Sequence, residues 1–333
     1  MPETVEICHL LLLPAGAEPP GLTEPSPELR DAPDFFDAHI DLVSAGETRL
    51  DVRGTPVDVR CQVLNGEVWA AECRYRLEDA FSDDAAERKG TIEAALREQL
   101  VQMHGATEQE LREEYTAVLV EAARPTPEAF LAERGPALAR LMRNLRKPPS
   151  PQQVEELLSA RARFSEHDVT VVDWVGALVV AEHGDFQSEL ELMKIGKYQL
   201  LRLRMLDRAI DAALAQLRVH VESVRGRFTP RGPRTLQTVV ERRLELLLEF
   251  EKTDQSLLLI GDWYSARVYQ LVVDNLYLDD WKAAVSAKLE SLGAIDTTVR
   301  ESLALSWRRM LDVVSLAGWT FLMVAYIVLL IAR

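Results

Sequence analysis

The spacing of apolar and polar residues divides the chain into a region with a period of two and a region with a period near 3.6. Thr4–Leu13 is an apolar run of strand length and reads as a buried strand. Val57, Val59, Cys61 and Val63 alternate with Asp58, Arg60 and Gln62. After Asn65-Gly66, the residues Trp69, Ala71, Cys73, Tyr75 and Leu77 form a second alternating set. Both sets are odd-numbered, so an odd number of loop residues separates facing positions. This predicts a hairpin with a three-residue loop ending in Gly66, in which Cys61 faces Trp69 and Cys73 faces Val57. Capping boxes at Thr107-x-x-Glu110 and Ser150-x-x-Gln153, and Thr126 before Pro127, mark helix starts. Tyr115–Val120, His167–Trp174 and Ala177–Ala181 are strand-like. Residues 1–186 therefore read as an α+β (or α/β) head, a sheet with helices packed on it.

From Ser188 the period changes. Leu203, Leu206, Ile210, Leu214, Leu217, Val221 and Val224 recur every three or four residues and predict a helix to about Arg225. Gly226 to Gly232-Pro233 interrupts it. A second stripe then runs from Leu236 to Leu271 and a third from Trp281 to Trp307. Residues 187–312 are thus expected to form a long antiparallel three-helix bundle, a coiled-coil-like stalk. Val313 to Ala332 holds 20 residues without a charge, long enough for one C-terminal transmembrane helix of about 30 Å. Arg308 and Arg309 before it form a membrane collar, and only Arg333 follows it. The positive-inside bias then predicts a single-pass protein of the inner (cytoplasmic) membrane with its N-terminal bulk in the cytoplasm.

In that topology the turn after the first long helix comes back towards lipid. It carries Arg225, Arg227, Arg231 and Arg234 and no acid. Two readings stay open: contact with anionic headgroups, or a solvated turn whose arginines complement a helix C-terminus.

Charge sharpens the division. Residues 1–186 hold 18 Lys and Arg against 35 Asp and Glu, whereas residues 187–312 hold 19 against 18. An acidic head repels phosphate backbones, so no nucleic-acid partner is expected. Three cysteines, Cys8, Cys61 and Cys73, are unclustered and fit reduced core thiols.

Candidate chemistry is sparse. The chain has no Gly-rich phosphate loop, HExxH, CxxC or GxSxG pattern. His220 reads as a packed or snorkelling side chain, and Asp185 as a terminator or cap. Asp254 falls on an apolar stripe and calls for an arginine partner or an ion. Gly261-Asp262-Trp263-Tyr264 reads as a kink where another helix or subunit packs. Neither a catalytic residue nor a cofactor or metal site is expected.

Val169–Val180 (VTVVDWVGALVV), Tyr198-Gln199-Leu200-Leu201 to Leu206-Asp207, Gly261–Tyr264 with Tyr269, Trp281–Leu289 and Arg308-Arg309 carry a resemblance over roughly residues 165–333. The order of head, long helices and span is similar to CorA-type divalent-cation channels. It more closely resembles the "required for meiotic nuclear division" family of mitochondrial and bacterial membrane proteins. That likeness implies an anchoring or assembly role, in mitochondria tied to the translation machinery, and brings no catalytic residue with it. CorA channels have two spans joined by a Gly-Met-Asn loop, which this sequence lacks. The expected function is a non-enzymatic, membrane-anchored scaffold or assembly protein. Its head binds a protein partner, its bundle forms a homo-oligomer, and membrane lipid is a further partner. The alternative is a CorA-like oligomeric cation channel or a regulator of one.

Overall fold

A computed structural model describes residues 4–15, 40, 42–105, 111–121, 126–224, 248, 263–292 and 315–324. The chain divides into two compact units, residues 1–205 with 252–283 and residues 206–251 with 284–333.

The first unit is built on eight strands: β1 (Val5–Pro14), β2 (Leu42–Val52), β3 (Thr55–Leu64), β4 (Val68–Leu77), β5 (Glu113–Glu121), β6 (Arg161–Ala162), β7 (Val169–Val172) and β8 (Gly176–Ala181). They form one mixed sheet in the order β2-β3-β4-β1-β5-β8-β7-β6. The helices α1 (Ala85–His104), α2 (Pro127–Met142) and α3 (Pro151–Ser159) lie between strands in sequence, and α4 (Gln187–Val224) follows the last strand. β5 and β8 are parallel, and α2 and α3 belong to the crossover between them.

β1 is central because its sequence is apolar on both faces. Ile7, Leu11 and Leu13 join Trp69, Leu96, Leu100, Phe130 and Leu138 in the main core, on the side of α1 and α2. Cys8, Leu10 and Leu12 point to the other face and are equally buried. The first residues of α4 cover that second face, where Lys194 meets Gln62 and Glu72, and Lys197 meets Glu113. The α2 cap is Thr126, whose hydroxyl accepts from Ala129 N–H, and the Ser150–Gln153 capping box is complete.

The hairpin loop has three residues, but they are Asn65, Gly66 and Glu67, since Leu64 pairs with Val68. Cys61 therefore faces Ala71, and Cys73 faces Val59. Asn65 and Gly66 both take positive φ, which the sequence pattern alone could not position. All three cysteines are free and buried.

The expected head, three-helix bundle and transmembrane helix are corrected by this structure. Within the second predicted stripe the described helix is α5 (Trp263–Asn275), and a further helix covers residues 278–292. α5 groups with the sheet, and its apolar stripe is used against it: Tyr264 and Val268 cluster with Ala162 of β6 and Leu192 of α4. A stripe with helical period states that a face is buried, not against what. The bundle and the coiled-coil reading assigned these faces to other long helices.

No helix among the described residues is long and apolar enough to cross a membrane. Of the expected span, residues 315–324 are described, and they are helical. Hydropathy counts apolar side chains, while a span also needs one continuous helix. The transmembrane helix, the single-pass inner-membrane location with a cytoplasmic bulk, and the CorA-like architecture are therefore not retained.

In the second unit, Leu206 and Ile210 of α4 and Val285, Leu289 and Leu292 are buried. Lys288 pairs with Asp207 at 2.6 Å and Asp211 at 2.9 Å. In helix 315–324, Trp319 and Phe321 are each 74% exposed.

Candidate functional site

The sheet side near β6–β8 and α5 carries aromatic side chains that folding has left outside. Phe164 and Trp263 are 62% and 64% exposed, yet their rings stack with centroids 6.2 Å apart. Phe164 also meets Tyr264 edge-on at 5.6 Å. Trp174 and Tyr277 make a second pair at 5.8 Å, with Val175 exposed beside Trp174. Local chemistry fixes the first pair: Asp168 accepts hydrogen bonds from the N–H groups of Phe164 and Ser165, holding the β6–β7 turn closed. Asp173, after β7, forms a two-pronged pair with Arg143, which sets the turn bearing Trp174.

Polar anchors lie beneath these rings. The Tyr264 hydroxyl sits 3.1 Å from Thr170 Oγ1 and donates to Glu189 at 2.9 Å. Burial, then the nearby Glu189 carboxylate, pushes the tyrosine hydroxyl well above its ordinary range. Burial likewise raises the Glu189 carboxyl. Lys197 lies 5.2 Å from the centroids of both Tyr115 and Trp174 and pairs with Glu113 at 3.1 Å. Burial holds its ammonium below the usual lysine range, against the pull of Glu113, which Arg204 shares. Three positions earlier, Lys194 has the opposite balance. Burial works against its charge, but Glu191 at 2.6 Å and Glu72 at 3.1 Å outweigh it and raise the ammonium.

A second buried network sits under α1. His9 Nδ1 lies 2.9 Å from Thr116 Oγ1, which donates to Glu93 at 2.7 Å. Glu93 also receives Lys89 and Asn144. Burial opposes its charge, but Lys89 and then His9 hold its carboxyl well below the usual range. Both Glu93 carboxylate oxygens are occupied, while His9 Nε2 is buried without a hydrogen-bond partner among the described residues. Sequence reasoning missed this network because its members come from β1, α1, β5 and the turn after α2 and share no spacing.

Of the residues singled out from sequence, Trp263 and Tyr264 open α5 and join the aromatic surface. Gly261, Asp262, Asp254, Arg225, Arg227, Arg231, Arg234, Arg308 and Arg309 lie outside the described residues. Asp185 Oδ1 accepts from Gln187 N–H at the start of α4, a capping contact. Phe164 and Tyr277 were missed, since an exposed aromatic in a mixed pattern carries no periodic signal. Among the described residues no three His, Cys, Asp or Glu side chains are placed to hold a metal.

Over residues 43–187 the chain matches the family described as "Uncharacterized protein MJ0711, N-terminal domain". It is similar to "Uncharacterized protein MJ0711" of Methanocaldococcus jannaschii, 25% identical over 178 residues. That match covers 53% of this chain and 54% of the relative, so the chain spans about half the length of the curated relative it matches. No solved structure matches the chain. The family match takes in β2 to β8 with α1 to α3, and thus Phe164 and Trp174; Trp263 and Tyr277 fall beyond it.

Proposed function

We propose that this chain is a non-enzymatic binding protein, a scaffold or assembly factor whose first unit docks a protein partner on the aromatic surface. The observation that carries this reading is the Phe164–Trp263 stack, two large rings held in fixed geometry while more than half exposed. Rigid aromatic side chains of this kind are the anchors that dominate binding energy at protein interfaces. The partner's chemistry follows from charge: with 18 basic against 35 acidic residues in positions 1–186, the complementary surface is an apolar anchor within a basic rim. The reading keeps the assembly role that the resemblance to the meiotic-nuclear-division family implies, without its membrane anchor.

A photo-crosslinking amino acid at position 164 tests it in cells. The expected product is a crosslink to a protein of net basic charge that disappears in Trp263→Ala. Crosslinks only to the chain itself, or a partner retained by Trp263→Ala, would overturn the reading.

Self-association is a second part of the proposal, favoured by helix 315–324. A helix apolar all round calls for cover on more than one face, which identical helices of several further copies supply symmetrically. Trp319→Gln with Phe321→Ser should convert an oligomer into a monomer by mass photometry. A wild-type chain that is monomeric at micromolar concentration contradicts it.

A further inference from the structure

We infer that the aromatic surface takes an arginine side chain from its partner, with the guanidinium lying on the Phe164–Trp263 stack and paired with Glu189. This contact rests on the docking role proposed above and specifies its chemistry.

Glu189 stands in the first turn of α4, half-buried at the foot of the ring cluster. Its Oε1 accepts the Tyr264 hydroxyl at 2.9 Å, and Tyr264 meets both exposed rings, Phe164 at 5.6 Å and Trp263 at 6.2 Å. Elsewhere in this unit a carboxylate taken out of water has an internal cation. The buried Glu72, Glu93, Glu113 and Asp173 pair with Lys194, Lys89, Lys197 and Arg143. Among the described residues Glu189 has no such partner. The charges that weigh most on it belong to two further acids, Asp185 and Asp168, and with burial they raise its carboxyl. A half-buried carboxylate set among acids is stabilised by a cation that reaches it from outside.

The surrounding charge has the same sign. Residues 164–189 hold six Asp and Glu and not one Lys or Arg. Asp173 is held by Arg143, whereas Asp168 is held by N–H groups of its own turn and keeps its charge uncompensated. At the border Arg163 is committed to Glu128, and Arg267, one turn along α5 from Trp263, is exposed. A cation arriving here meets ring faces and an unpaired carboxylate together. Arginine suits both: its planar, weakly hydrated head stacks on aromatic faces, and its fork of N–H donors fits a carboxylate. Charge complementarity thus commits the surface to a basic segment of a protein partner.

The test uses the full chain and fluorescence anisotropy with a labelled nonapeptide of three Leu-Arg-Gly repeats. The same peptide with citrulline in place of arginine keeps the shape and removes the charge. Wild-type protein should bind the arginine peptide at least tenfold more tightly than the citrulline peptide. Glu189→Gln, which still accepts the Tyr264 hydroxyl, should weaken binding at least tenfold without lowering Tm. Arg267→Gln should tighten binding, because a like charge beside the rings is removed. Glu98→Gln, which removes an exposed carboxylate of α1, should leave it within twofold. Opposite signs at positions 189 and 267 are not produced by a change in folding alone. No binding of the arginine peptide at millimolar concentration, equal binding of the citrulline peptide, or equal losses in Glu189→Gln and Glu98→Gln would overturn the inference. The docking role is read separately, by the crosslink from position 164. A crosslink kept in Glu189→Gln but lost in Trp263→Ala would remove the arginine contact and leave the docking role standing.

Discussion

Gly196 of α4 touches Val272 of α5 so closely that a Cβ added to the glycine would overlap the valine Cγ1. No other residue type fits between the two helices without displacing one. The contact brings α5, and with it Trp263 and Tyr264, against the sheet. Gly196→Ala should therefore destabilise the fold by about 1–3 kcal/mol, the usual range for overpacking. Urea denaturation followed by tryptophan fluorescence measures it; a change below about 0.5 kcal/mol would mean that α5 does not pack where described.

Lys194 and Glu72 predict a different kind of loss. Each is almost fully buried and they pair at 3.1 Å, with Glu191 also on Lys194 and Arg74 also on Glu72, so truncating one leaves the other buried charge short of a partner. Lys194→Met should cost about 3–5 kcal/mol, and adding Glu72→Gln should recover part of that cost. Full additivity in the double-mutant cycle would show that the two side chains are not coupled.

Acid stability follows from the two buried carboxyls that are depressed, Glu72 and Glu93. Burial opposes the charge of Glu72, while Lys194 and Arg74 favour it and lower its titration; Glu93 is lowered by Lys89 and His9 against the same burial. A carboxyl lower in the folded than in the unfolded state stabilises above the unfolded value, about 4.3, and loses that contribution as pH falls towards the folded value. Glu189 has the opposite sign, since burial raises it, and its contribution is lost as pH rises through the folded value. The large downward shift of Glu93 makes its loss on acidification below about pH 5 the dominant contribution. Glu93→Gln should make the pH dependence of Tm shallower over that range; an unchanged slope would remove Glu93 from the account.

The thiols give a chemical check on the sheet register. Burial pushes Cys61 up to about 11 and raises Cys8 and Cys73 further above the ordinary thiol range. Native protein should react with iodoacetamide at pH 8 far more slowly than urea-unfolded protein, by at least a hundredfold. Rapid labelling of one native cysteine, located by mass spectrometry, would show that its strand is open.

Trp263→Ala separates binding from folding. The ring is 64% exposed, so its loss should change stability by less than about 1 kcal/mol while abolishing the crosslink from position 164. A large drop in stability would make the indole a packing residue instead.

What the chain pattern determined by itself was local. Strict alternation in Val57–Val63 and Trp69–Leu77 identified two strands and the odd length of their loop, because side-chain direction on a strand depends only on parity. Ser150 and Thr126 located helix starts, because capping is satisfied within four residues. The tertiary structure decided everything that needed a partner far along the chain. The apolar stripe of α5 specified a buried face, and only the fold showed that the face belongs to the sheet and α4. Register in the hairpin depended on which residues take positive φ, which moved every facing pair by two. The Phe164–Trp263 stack joins residues about a hundred positions apart. It has no period, so it could not be read before the chain was folded.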